Sequence, residues 1–94
     1  YMNNNNLSDL PNIGKTAVER LARVGIMSVE ELINSGSKEA FLRLLSEEHD
    51  TCLNTLYALE GAIQGIRWHS LPDAKKKELK LFFDEVKNGN GPEE

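Results

Sequence analysis

The apolar residues of this chain recur at intervals of three and four, and nowhere do they alternate for the length of a strand. A period near 3.6 gathers such residues on one helix stripe, whereas a half-buried strand needs a period of two. The clearest case is Leu79, Phe82, Phe83 and Val86, at i, i+3, i+4 and i+7. The sequence therefore predicts an all-α fold, and its breakers divide it. Leu7–Leu10 reads as a short opening turn and Pro11-Asn12-Ile13-Gly14 as a break. A helix from Lys15 to Val24 stops at Gly25, where left-handed backbone ends it. Ser28-Val29-Glu30-Glu31 spells a capping box: the Ser hydroxyl accepts from a free amide, and Glu31 reaches back to the Ser amide. The helix it opens ends at Gly36, and Ser37 caps the next, through about Glu48. Asp50 or Thr51 caps a long helix over 51–67, and Ser70-Leu71-Pro72-Asp73 opens the last. The expectation is a compact bundle of five to six short helices with connections of roughly two to five residues.

A chain of 94 residues makes one domain with one core and little room for a deep cleft. Its limits are read as 7–88. Before it lies a polar head, 1–6, whose Tyr1-Met2 is taken for a cloning remnant; after it, 89–94 is disordered by composition. No apolar run approaches the roughly eighteen residues of a membrane span, so no membrane contact is expected. There is no leader pattern. Cys52 is the single cysteine and forms no internal disulfide, which fits a reducing, cytoplasmic setting.

Pro11–Thr16 is the first candidate site. A tight turn between two helices needs a residue free to take positive φ, and Asn12 is the best non-glycine occupant. The helix that follows starts with unpaired amides, on Gly14, Lys15 and Thr16, and a positive dipole end, which together suit a phosphate. Leu10–Ala17 closely resembles the hairpin of helix-hairpin-helix modules, which commonly reads Gly, apolar, Gly. That resemblance implies a SAM-like N-terminal part and sequence-independent contact with a duplex backbone by Asn12, Ile13, Gly14, Lys15 and Thr16, with Arg23 nearby. Asn12 stands where the family has its first Gly, so its side chain is a potential obstacle to the phosphate. No second hairpin is present.

The second candidate is the segment 50–72. At 100° per residue it shows three faces. Cys52, Leu56, Leu59, Ala62, Ile63 and Ile66 form an arc expected in the core. Asn54, Ala58, Gly61 and Gly65 form a stripe of small residues, and the glycines imply a second backbone packed close by. Tyr57, Glu60, Gln64, Arg67 and Trp68 mix aromatic and polar groups as protein-interaction anchors do. The structural alternative is that Trp68 lids the core and Glu60 pairs with Arg67.

Leu10-Pro11-Asn12-Ile13-Gly14, Gly25-Ile26, Val29-Glu30-Glu31-Leu32, Lys38-Glu39-Ala40-Phe41, Cys52-Leu53-Asn54, Leu56 to Gly65 and Arg67-Trp68 together resemble the C-terminal domain of the TfoX/Sxy competence regulators. The likeness runs from about Leu7 to Phe83, and the block 52–68 makes it specific. It implies a small helical domain in proteins tied to DNA uptake and competence gene expression. Full-length members also carry an α/β N-terminal domain, and the chain is read as a stand-alone copy of the C-terminal one.

Enzyme chemistry finds no support. His49 and His69 are too far apart to complete a zinc site with Cys52, and both read as exposed helix-end residues. Gly14-Lys15-Thr16 imitates the end of a phosphate-binding loop without its first glycine. No cofactor is expected. The net charge of −4 works against a free-standing DNA binder, because phosphate neutralisation supplies most non-specific affinity. Yet the acids are concentrated in residues 30–66, where seven stand against Lys38 and Arg43. The ends carry the surplus of bases, including the run Lys75-Lys76-Lys77, which reads first as a solvated helix face. Two readings stand: a regulatory domain that touches duplex DNA weakly through the 10–16 hairpin, and a domain that docks on a transcription or DNA-uptake protein through the 57–68 face.

Overall fold

The computed structural model describes residues 7–48 and 51–87. In order they form a 3-10 turn at Leu7–Asp9, α1 at Lys15–Arg23, α2 at Val29–Glu47, α3 at Leu53–Gln64, a second 3-10 turn at Trp68–Ser70, and α4 at Asp73–Lys87. No strand occurs among the described residues, and none of their helices is long and apolar enough to cross a membrane. His49 and Asp50 lie outside the described residues, as do the head 1–6 and the tail from 88 onward.

Four helices replace the predicted five to six, because the two segments flanking Gly36 form one kinked element and the opening segment is a 3-10 turn. Gly36 takes φ 84° and ψ 160°, a region essentially closed to side chains, yet helix continues on both sides of it. The predicted stop is thus a real break in helical backbone, across which the two predicted helices meet at a kink within α2. Gly65, at φ 77°, ends α3 before the expected 67. The amides of Gly65 and Ile66 bond back to Ala62 O and Gly61 O at 3.1 and 2.9 Å, which satisfies the last carbonyls of the helix. The same closure ends α1: Gly25 has φ 86°, and Ile26 N reaches Leu21 O at 2.9 Å.

The capping box at Ser28 forms, with one change. Glu31 N donates to Ser28 Oγ at 3.1 Å, but the Glu31 carboxylate accepts from the Met27 amide at 2.8 Å, one residue earlier than expected. The start of α3 also differs. Its N-cap is Cys52, which is exposed and not in the core, while Thr51 is buried.

α3 sits at the centre, against α2, α4 and the second 3-10 turn. Leu56 and Leu59 meet Leu21, Ile26, Leu32, Phe41 and Leu79 in a core where each of these side chains is essentially sealed from water. Phe41 anchors the α2–α4 contact, with its ring 6.5 Å from Phe82 and 5.8 Å from Phe83 at steep angles. Hydrophobic burial of this kind, about 1.5–3 kcal/mol per large side chain, holds the helices together.

Candidate nucleic-acid interface

The chain reverses between Leu7 and α1 through two successive tight turns. Leu10 N bonds to Leu7 O at 3.0 Å and Ile13 N to Leu10 O at 3.4 Å. Asn12 lies at the bend with φ 70°, the only non-glycine positive φ among the described residues. Gly14 is extended and forms the N-cap of α1 without a side-chain capping bond. Gly14, Lys15 and Thr16 are all exposed, so the opening amides of α1 belong to residues on the surface.

The Asn12 side chain turns inward. Its Nδ2 donates to Ile66 O at 3.0 Å and, at the limit of a hydrogen bond, to Ala58 O at 3.5 Å; its Oδ1 accepts from Trp68 N at 3.2 Å. Three polar groups beyond the end of α3 and within it are thereby tied to the turn. The expected obstacle to a phosphate is removed, and Asn12 itself offers an anion only backbone. The Ile13 side chain is in the core beneath the turn.

The predicted close approach on the small stripe is real at Gly61 alone. A Cβ there would lie 2.6 Å from Asn12 Nδ2, 2.8 Å from Ile66 O and 3.1 Å from Trp68 Cα. Gly65 has nothing within 4 Å and serves to end the helix. The hairpin and the 52–68 block, read separately in the sequence, are therefore one construction joined at Asn12 and Gly61.

Charge around the turn is modest. Lys15 makes no ion pair among the described residues. Arg23 is well exposed, with Nη1 3.7 Å from Glu48 Oε2. Arg20, which sequence reasoning left out of the site, reaches Glu48 Oε1 at 3.0 Å and Thr51 Oγ1 at 2.9 Å. Its only signal in the sequence was its place one helical turn before Arg23. The lysines of α4 are partly engaged: Lys75 and Lys38 both hold Glu78, at 3.2 and 2.8 Å, and Lys80 holds Asp84 at 3.0 Å. Hydrogen bonds from Lys38 and then Lys75 hold the Glu78 carboxyl below its ordinary range.

A model of the TfoX C-terminal domain matches residues 3–83. The chain belongs to that family. The Sxy protein of Escherichia coli strain K12 is 38% identical over 80 residues, which is 85% of this chain and 38% of that protein. The TfoX C-terminal domain described here thus spans well under half of that relative's length. Two solved structures from Listeria monocytogenes are similar throughout. An uncharacterised protein in a triclinic crystal form shares 54% identity at a TM-score of 0.86, covering 87% of this chain and 93% of its own. A protein of unknown function in a tetragonal form shares 53% identity at a TM-score of 0.82, covering 84% and 98%.

The second predicted surface of this TfoX C-terminal domain is divided. Tyr57 stacks on Trp68 at 5.6 Å and Trp68 on His69 at 3.9 Å, and the Tyr57 hydroxyl donates to Lys76 O at 3.4 Å. Glu60 turns the other way, accepting from Ser37 Oγ and Gln64 Nε2, both at 2.6 Å. The Glu60–Arg67 pair does not form; Arg67 and Gln64 are exposed. Among the described residues no group of three His, Cys, Asp or Glu side chains is placed to hold a metal ion.

Proposed function

We propose that this TfoX C-terminal domain is a regulatory binding module that holds duplex DNA weakly by its phosphates at the Pro11–Thr16 turn, as a helix-hairpin-helix does. One observation carries the reading: α1 opens on exposed residues with no side-chain cap, while the one bulky group at the bend, Asn12, is tied inward. Uncapped amides at a helix start bind anions, and Lys15, which has no ion pair among the described residues, adds a charge beside them. Such contacts fix position without reading sequence. A role in competence regulation follows from the family likeness and rests on this contact.

The affinity expected is that of non-specific binding, roughly 10⁻⁴ to 10⁻⁶ M, and an interface of two phosphates gives a salt slope of roughly −2. The test is a heteronuclear NMR titration with a short duplex at low salt. Amide shifts at Gly14, Lys15 and Thr16 that fade with salt and weaken in Lys15→Glu support the reading. No shift at low salt, or shifts that ignore salt, end it.

A second reading is docking on a transcription or DNA-uptake protein through the 57–68 face. The net charge of −4 and the exposed Gln64 and Arg67 favour it, because an acidic surface repels DNA. Tyr57, Trp68 and Glu60 already have internal partners, which leaves few side chains on that face for an outside one. Duplex shifts confined to residues 57–68 would move the contact there.

A further inference from the structure

The rings of Tyr57, Trp68 and His69 form one stack. Tyr57 and Trp68 lie 22° from parallel with centroids 5.6 Å apart, and Trp68 and His69 lie 26° from parallel with centroids 3.9 Å apart. Hydrogen bonds fix the stack in place. The Tyr57 hydroxyl donates to Lys76 O at 3.4 Å, and the Trp68 amide donates to Asn12 Oδ1 at 3.2 Å. Tyr57 and Trp68 are half-buried and pack on the core, but His69 is exposed. Among the described residues its imidazole has Trp68 as its one ring neighbour and makes no hydrogen bond. An ordered stack therefore ends on a ring that faces water.

Two cations stand near that ring. Arg67, two residues before it, is exposed, and its side chain makes no ion pair or hydrogen bond among the described residues. Lys76 Nζ reaches the His69 carbonyl at 3.2 Å and pairs with no carboxylate there. Asp73 lies between His69 and Lys76 in the chain, so charge alone does not choose a ligand here. The ring does: a flat exposed face at the end of a stack takes another flat π-face. Asn12 adds the connection to the turn. It bonds on both sides of Arg67, to Ile66 O at 3.0 Å and to Trp68 N, so this segment runs against the turn at Pro11–Thr16. Unpaired bases are held in this way, stacked on aromatic or histidine rings while cations follow the strand. A duplex keeps its base faces covered except at its ends.

We propose that His69 is a stacking platform for an unpaired base of single-stranded DNA, with the adjoining phosphate on Arg67 and the strand leading to the turn. The inference rests on the reading of this domain as a DNA contact and names the strand state that it prefers. Because the stack is ordered before a base arrives, little freedom is lost on binding.

Trp68 is the single tryptophan of the chain, so its fluorescence reports on the stack directly. The test titrates the full chain at low salt with oligothymidylate, with an abasic strand of equal length and with a duplex, following Trp68 emission and the backbone amides. Oligothymidylate should change Trp68 emission saturably and bind about tenfold tighter than either control, the contribution of one stacked base. His69→Ala should erase that advantage and His69→Phe should restore it. Arg67→Gln should reduce the salt slope by roughly 1. Equal binding of oligothymidylate and the abasic strand overturns the proposal. So does unchanged affinity in His69→Ala, failure of His69→Phe to rescue, or an unchanged salt slope in Arg67→Gln. Duplex shifts at Gly14–Thr16 with no preference for an unpaired base end this inference and leave the reading of the turn. A stacked base with silent turn amides does the reverse.

Discussion

Replacing Gly61 by Ala should destabilise this domain, against the usual effect of that change in a helix. In an exposed helix interior, Gly→Ala gains about 1 kcal/mol from backbone entropy alone. At Gly61 the new methyl meets Ile66 O at 2.8 Å and Trp68 Cα at 3.1 Å, both backbone atoms, and Asn12 Nδ2 at 2.6 Å. The amide group can swing aside only by giving up its bond to Ile66 O. Overpacking of this kind costs about 1–3 kcal/mol, and a lost hydrogen bond about 1 more. Set against the helical gain, the net loss is about 1–3 kcal/mol, or roughly 4–8 °C in Tm for each kcal/mol at this size. Urea unfolding followed by circular dichroism measures it. The double variant Asn12→Gly/Gly61→Ala completes a cycle: the two losses should add to more than the double shows, since the first removes part of the clash of the second. If Gly61→Ala instead raises stability by about 1 kcal/mol, or the cycle shows no coupling, then Asn12 and residues 66–68 are not seated on Gly61.

Other positions give sharper or simpler tests. Asn12→Ala should cost more than Asn12→Gly in urea unfolding, by about 1 kcal/mol, because both lose the three side-chain bonds but only Ala is strained at φ 70°. Gly36→Ala should cost about 1–3 kcal/mol although nothing lies within 4 Å of the added methyl, since the penalty is in the backbone region alone. Glu78 makes stability depend on acid: its folded pKa lies below the unfolded value, so its contribution is present above the carboxylate range and is lost as pH falls through the folded pKa. The acid limb of a pH-dependent unfolding curve should therefore flatten in Glu78→Gln, and an unchanged limb would remove Glu78 from the account.

Most of the elements were legible because local chemistry sets them. Ser28 caps, Gly25 stops α1, and Leu79, Phe82 and Phe83 of the last stripe pack on the core, each from spacing and residue type alone. What failed was reach. The break at Gly36 was readable, but not that the two helices it separates would meet at a kink within one element. Cys52 falls on the apolar arc of an ideal helix, yet the helix starts at Leu53, so the arc does not extend to it. Of the site, the bend at Asn12 and the need for close packing on α3 were both readable. That each answers the other was not, because they stand 49 positions apart and nothing local in either names its partner.

Asn12 is the position where the turn departs from the Gly-apolar-Gly pattern, and the departure changes what kind of turn it is. Glycine there would supply positive φ and nothing more, leaving the hairpin held by Ile13 beneath it. Asparagine tolerates the same backbone at modest cost and adds three bonds to the end of α3 and the strand of chain after it. A turn so fixed loses little freedom when an anion arrives, and a binder whose groups are ordered beforehand keeps more of its contact energy. The same bonds oblige α3 to carry glycine at 61, although glycine weakens a helix. The two residues thus belong to one device, in which glycine at 61 leaves room for the side chain that makes a surface turn rigid. A turn ordered before an anion arrives is what the proposed contact at residues 11–16 requires.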